Sequence, residues 1–226
     1  MAVRNIHRQE TMIPIFPLGV VLLPEMRMPL HIFEERYKTM IRECLDRQEP
    51  FGIVYFDGKG IHRVGCTARI LEVSRRYEDG RMDIVVQGVQ RFHMDRLDES
   101  RSYLMSGIHY VDDAPESLGR EIEALVRKNV DLLRRLDRLA GLSGEEKRLD
   151  EAGLKRLSFL VPGAEGFSLE ERQRFLEMTS ARERLEKGSE VLERVIARAK
   201  ISREIAELIG GNGHLRSFIT EKGLQV

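Results

Sequence analysis

The apolar residues of this 226-residue chain keep two different periods, and the change between them falls at Asp112-Asp113-Ala114-Pro115. Before it, short apolar runs and alternations are broken by turn residues, as in strands. After it, apolar residues recur at steps of three and four, as on one face of a helix. Strands first and helices afterwards point away from βαβ units and towards an α+β fold: a compact twisted sheet curling into a barrel, then a helical bundle with one long helix. The expected units are 1–112 for the barrel, 113–209 for the helices and 210–226 for a loosely held tail.

Within the first half, Met12-Ile13-Pro14-Ile15-Phe16-Pro17-Leu18 reads as a strand whose prolines, lacking a donor, place it at an edge or at the opening of a sheet. Residues 19–29 read as strand and loop. Phe33, Tyr37, Met40, Ile41, Cys44 and Leu45 mark one face of a helix over Glu34–Arg47. Phe51–Phe56 is a buried strand closed by Asp57-Gly58-Lys59-Gly60. From Gly65 the alternation of Cys66, Ala68 and Ile70 slips by one to Leu71 and Val73, which predicts a β-bulge. Asp79-Gly80 then turns a hairpin into Met82–Val86, and strands follow at Val89–Leu97 and Tyr103–Val111.

In the second half, Leu118, Ile122, Leu125, Val126, Val130, Leu133 and Leu136 predict a helix to about Leu139, and a second spans Glu145–Leu160. Ser168 and Glu171 have capping-box spacing for a third. Met178, Ala181, Leu185, Gly188, Leu192, Val195 and Ala199 form a heptad-like seam poor in large residues, expected to pack back on the preceding helices rather than to pair two chains. Oligomeric state stays open.

Thirty-seven basic residues balance 37 acidic ones, and the balance holds in each half, with 16 of each sign in 1–112 and 21 of each in 113–226. Nucleic-acid binding normally draws on a basic excess, so it is not the first expectation. Cys44 and Cys66 have no metal-ligand spacing and read as reduced interior residues. With no signal peptide and no apolar run long enough for a bilayer, a soluble cytoplasmic protein is expected. His7, His62, His93, His109 and His214 are scattered, with no zinc motif, no nucleophile elbow and no phosphate-binding loop. Neither metal, cofactor nor catalytic residue is expected.

Three segments resemble the N-terminal substrate-binding domain of Lon proteases: Ile15-Phe16-Pro17-Leu18 through Val21-Leu22-Leu23-Pro24 into Pro29-Leu30-His31-Ile32-Phe33-Glu34-Glu35-Arg36-Tyr37; Val64–Ile70; and Asp83–Phe92. A weaker likeness runs through Gln173–Glu177 and Arg182–Leu185. The resemblance implies a PUA-like β-barrel with a helical extension, in a bacterial, cytoplasmic setting. It also implies a non-enzymatic role in gripping unfolded or specific protein partners, a separate protease among them, without the family's ATPase and Ser-Lys peptidase. PUA-like barrels also occur in RNA-binding proteins, which is the alternative reading.

Within the matched motif, His31, Phe33, Glu34, Arg36 and Tyr37 are expected to be structural: His31 bonding a buried carbonyl, Glu34 suiting the helix dipole, Arg36 pairing a loop carboxylate. Partner contact is expected at Met26, Arg27 and Met28, because thioethers adapt to varied apolar surfaces; the competing reading is that the methionines cap the barrel core. Arg75, Arg76 and Arg81 around the Asp79-Gly80 turn form a small basic tip that Glu78 and Asp79 partly cancel.

Overall fold

The computed structural model describes residues 11–116, 119–140 and 151–211. The first half holds six strands, β1 (Thr11–Leu18), β2 (Arg27–Ile32), β3 (Phe51–Phe56), β4 (Ile61–Arg76), β5 (Met82–Asp98) and β6 (Leu104–Tyr110), and one early helix, α1 (Glu35–Arg47), between β2 and β3. Strand pairing runs β1 to β3, β3 to β4, β4 to β5, β5 to β6 and β6 back to β1, so the ladder makes a closed circuit, with β2 added on β5. Only β1 and β3 run parallel; the other pairs are antiparallel. Four helices follow: α2 (Arg120–Ala140), α3 (Glu151–Gly163), α4 (Leu169–Glu177) and α5 (Ala181–Gly211).

Contrary to the edge expected from its prolines, β1 is paired on both sides. Its partners are staggered: β6 meets Thr11–Ile15 and β3 meets Ile15–Leu18, overlapping only at Ile15. Pro14 and Pro17 are an odd number of residues apart, so their nitrogens face opposite edges, and each section of β1 has one edge without a partner for a donor-less nitrogen to face. A second difference lies in β5, which is continuous where two strands are expected. Gly88 sits at its middle because Leu23 crosses there; a Cβ on Gly88 would lie 2.1 Å from the Leu23 carbonyl oxygen. The bulge expected near Ile70 is present, the register slipping between Ile70 and Glu72 and leaving Leu71 exposed.

Tyr37, Met40, Ile41 and Cys44 of α1 fill the barrel core, where the Tyr37 and Phe16 rings lie 4.0 Å apart. Removal of Met40 or Ile41 from water contributes roughly 1.5–3 kcal/mol each. Phe33, expected on the same helix face, precedes the helix and is exposed. Burial pushes the thiols of Cys44 and Cys66 up to about 12, which keeps both protonated and unreactive at neutral pH.

The seam of α5 is turned inward, with Ala181, Leu185, Gly188 and Leu192 buried in the helical cluster. Gly188 admits Val161 of α3, whose Cγ1 would lie 2.6 Å from a Cβ there. Ser168 and Glu171 make the capping box at the start of α4. The second helix runs past Leu160 to Gly163, while the expected stretch 145–150 and the tail from 212 lie outside the described residues.

The two halves share a core. Phe159, Leu169 and Leu176 of the helical half pack into the barrel cluster. Beside Phe159, the guanidiniums of Arg91 (β5) and Arg184 (α5) are 1% and 0% exposed, and both meet the carboxylate of Asp113 at 2.5 Å. The same guanidiniums donate to the Met178 carbonyl and lie over the Phe159 ring, at 5.1 Å for Arg91 and 4.0 Å for Arg184. Arg184 Nε also donates to Ser158 Oγ. Strand β5 and helix α5 therefore meet on a single carboxylate from the connecting segment, with α3 packed against the two guanidiniums.

Candidate protein-binding face

Alternation in β2 turns Met28 and Ile32 inward and Arg27, Pro29 and His31 outward. The register continues these outward residues across two further strands: Arg27 beside Gln87 and Arg69, Pro29 beside Val85 and Glu72, His31 beside Asp83 and Arg75. The result is a three-strand outer face that ends at the hairpin between β4 and β5.

Its most ordered part surrounds Asp83. His31 Nδ1 lies 2.5 Å from one carboxylate oxygen, and the Tyr77 hydroxyl donates to the other at 2.8 Å. The His31 ring stacks on Phe33 with centroids 5.9 Å apart and meets Tyr77 edge-on at 5.8 Å. Arg75 and Arg81 sit over Tyr77 at 4.6 and 4.8 Å, and Arg81 is further held by Asp79. A cation on each ring contact of this kind contributes about 0.5–1 kcal/mol at an exposed site. Phe33, 59% exposed, is thus a large apolar ring kept in water by a hydrogen-bonded base.

The hydrogen bond from His31, and then that from Tyr77, holds the Asp83 carboxyl below its ordinary value of 3.8. A folded value below the unfolded one makes this contribution complete above the ordinary value and lost as pH falls through the folded one. The Asp83 carboxyl-carbon resonance is therefore expected to titrate below 3.8, and Tyr77→Phe to move its midpoint upward; a midpoint at or above 3.8 in the unaltered chain contradicts this geometry.

The residues expected to contact a partner lie at one end of this face. Arg27 is exposed, Met26 is half-buried against the barrel core, and Met28, 9% exposed, is turned into that core, so of the three only Arg27 and the open side of Met26 are accessible from outside. Glu25 adopts a left-handed conformation (φ 66°), and the loop is stitched to β5 by Glu25 N–H to Gly88 O and Gly88 N–H to Met26 O. His31 differs from expectation: it is an exposed strand residue that bonds a carboxylate, where a buried carbonyl is expected. Arg36 pairs with Glu34, which is the N-cap of α1 rather than part of its first turn. Burial raises the Tyr37 hydroxyl, and Arg36 covers its ring at 4.6 Å. Tyr77 and Asp83, the centre of the face, were not singled out by sequence; the one local signal is an aromatic residue flanked by arginines at a hairpin turn.

Among the described residues, no group of three or more His, Cys, Asp or Glu side chains is placed to hold a metal ion, and no helix is long and apolar enough to cross a membrane.

A family model described as the substrate-binding domain of ATP-dependent protease La (LON) matches residues 12–194, spanning the barrel and most of the helical half. Lon protease of Dictyoglomus thermophilum is 24% identical over 204 residues, 85% of this chain and 26% of that protein. Lon protease of Parabacteroides distasonis is 30% identical over 130 residues, 53% of this chain and 16% of that protein. This chain thus spans about a quarter or less of these relatives. A Lon N-terminal domain protein from Xanthomonas campestris superposes with a TM-score of 0.60 at 23% identity, over 78% of this chain and 96% of its own. The N-terminal domain of the Mycobacterium avium complex Lon protease gives 0.64 at 18% identity, over 81% and 98%. The order of strands and helices, the matched segments and the family model agree: the chain belongs to the LON substrate-binding domain family.

Proposed function

We propose that this chain is a non-enzymatic protein-binding module that holds exposed apolar segments of other proteins on the outer face of β2, β5 and β4. The observation that carries the reading is Phe33. A ring of this size left in water, and fixed by His31, Asp83 and Tyr77, offers apolar contact area that is already ordered before a partner arrives. Pro29 and Val85 extend it along the strands, and Met26 and Arg27 flank it. The family description, a substrate-binding domain, supports recognition of protein chains. A separate protease is one partner such a module would serve, with bound chains passed on to it.

The test is binding of a reduced, carboxymethylated model chain by fluorescence anisotropy. Phe33→Ser is expected to weaken binding about 5- to 30-fold, the effect of removing an aromatic anchor, while the melting temperature stays put because the ring is not in the core. Unchanged affinity rejects the face. Salt-sensitive binding of RNA, with none of the model chain, supports the RNA reading instead.

A further inference from the structure

We infer that a bound segment adds to the open edge of β2 as a further antiparallel strand, recognised through its backbone, with its apolar side chains laid beside Phe33. The inference rests on the protein-binding reading and states how the segment lies on that face.

Among the described strands, β2 pairs with β5 alone and ends the sheet. The phase of its backbone follows from the loop before it, where Gly88 N–H donates to Met26 O and Met26 stands opposite Gly88 in the continued register. In an antiparallel ladder, bonded pairs alternate with unbonded ones. Met28, Leu30 and Ile32 therefore bond to β5, while the N–H and C=O groups of Arg27, Pro29 and His31 point to the other edge. Pro29 fits this phase, because a residue without a donor is tolerated on the open side of an edge strand. Among the described residues, no backbone group bonds to these three residues from that side. The edge thus offers donors at Arg27 and His31 and acceptors at all three.

Such a row is a template for an extended chain, and antiparallel addition is slightly the more stable form. A residue that bonds to Pro29 or His31 in an antiparallel strand stands directly opposite it, so both side chains lie on one face of the sheet. On β2 that is the outer face, where the exposed Phe33 ring stacks on His31. The residues that bond to β2 are therefore the ones whose side chains reach the ring. Pro29 then selects the occupant. A proline-free segment forgoes one bond, the one Pro29 cannot donate. A second copy of this chain, pairing through its own β2 with Pro29 facing Pro29, forgoes both bonds of the central pair, and a register shifted by two leaves both prolines without a donor all the same. Edge prolines limit edge-to-edge association in this way. Backbone pairing with a foreign segment, rather than with another β2, suits a module that grips apolar stretches of differing sequence.

A short labelled peptide of alternating leucine and threonine, titrated against the full chain, tests the edge through two isomers, one N-methylated on its leucines and the other on its threonines. The isomers carry the same number of methyl groups and differ in which of their edges can donate. The chain is expected to bind the threonine-methylated isomer as it binds the parent peptide, and the leucine-methylated isomer about tenfold or more weakly, because the bonds to β2 are lost. Pro29→Val supplies the missing donor and is expected to raise the affinity for the parent peptide about 2- to 10-fold. Equal affinities for the two isomers, a preference for the leucine-methylated one, or no gain in Pro29→Val overturns the added strand. Phe33→Ser separates this inference from the reading beneath it: parent binding that falls with Phe33 while the isomers bind alike keeps the outer face and removes the strand. A parent peptide that does not bind at all removes both.

Discussion

Asp113→Asn is expected to destabilise the chain by about 3–5 kcal/mol and lower its melting temperature by roughly 10 °C. Two guanidiniums, both essentially removed from water, share this carboxylate, and its neutralisation leaves two like charges buried side by side. The remaining bonds from Arg91 to the carbonyls of Leu176 and Met178, and from Arg184 to Ser158 and Met178, satisfy donors without cancelling charge. The same reasoning makes a second result discriminating: replacing all three groups together, Arg91→Met, Asp113→Leu and Arg184→Met, is expected to cost less than Asp113→Asn alone, because no buried charge is stranded. A loss below about 1 kcal/mol in the single variant, by urea unfolding, contradicts the account of the junction.

Gly88→Ala is expected to cost about 3 kcal/mol or more, beyond the usual range for one added methyl group in a packed site. The new carbon would stand 2.1 Å from the Leu23 carbonyl oxygen and 2.9 Å from its carbon, and these are backbone atoms with no rotamer to change. Relief requires the chain from Leu23 to Met26 to move away from β5, which breaks the pair of backbone hydrogen bonds between that loop and Gly88. Because the loop delivers Arg27 into β2, binding of unfolded chains is expected to weaken as well as stability. Calorimetry and the anisotropy titration check the two effects, and a variant that melts as wild type does rules out the close crossing.

Local features of this fold were legible where a short stretch of sequence carries its own physical signal. The α1 periodicity, the Ile70–Leu71 slip, the Asp79-Gly80 turn and the Ser168 capping box are all of this kind. What depended on register was not. Nothing local announces that Leu23 crosses Gly88, so the glycine reads as a break and β5 as two strands. Likewise the stagger of two partners along β1 is what lets a strand with prolines lie inside the circuit.

The candidate face follows the same rule. His31 and Phe33 stood out by resemblance, yet the reason they are held is Asp83, 52 positions away along the chain and opposite His31 only once β2 pairs with β5. Met26 and Met28 were visible as flexible apolar residues, but which of them turns inward is decided by the phase of β2, which begins one residue after Met26. Arg91, Asp113 and Arg184 are the extreme case. Each looks like an ordinary surface charge in its own segment, and only the docking of the helical half on the barrel buries them together.

The central claim, that the outer face of β2, β5 and β4 binds protein chains, is tested most directly by NMR mapping of amide and aromatic signals during titration with the unfolded model chain. The account predicts that Arg27, His31, Phe33, Tyr77 and Val85 shift together and saturate with one affinity, and that Phe33→Ser moves the saturation of the remaining set to about 5- to 30-fold higher concentration. Binding that leaves these signals unmoved, with shifts confined to the helical half, contradicts it.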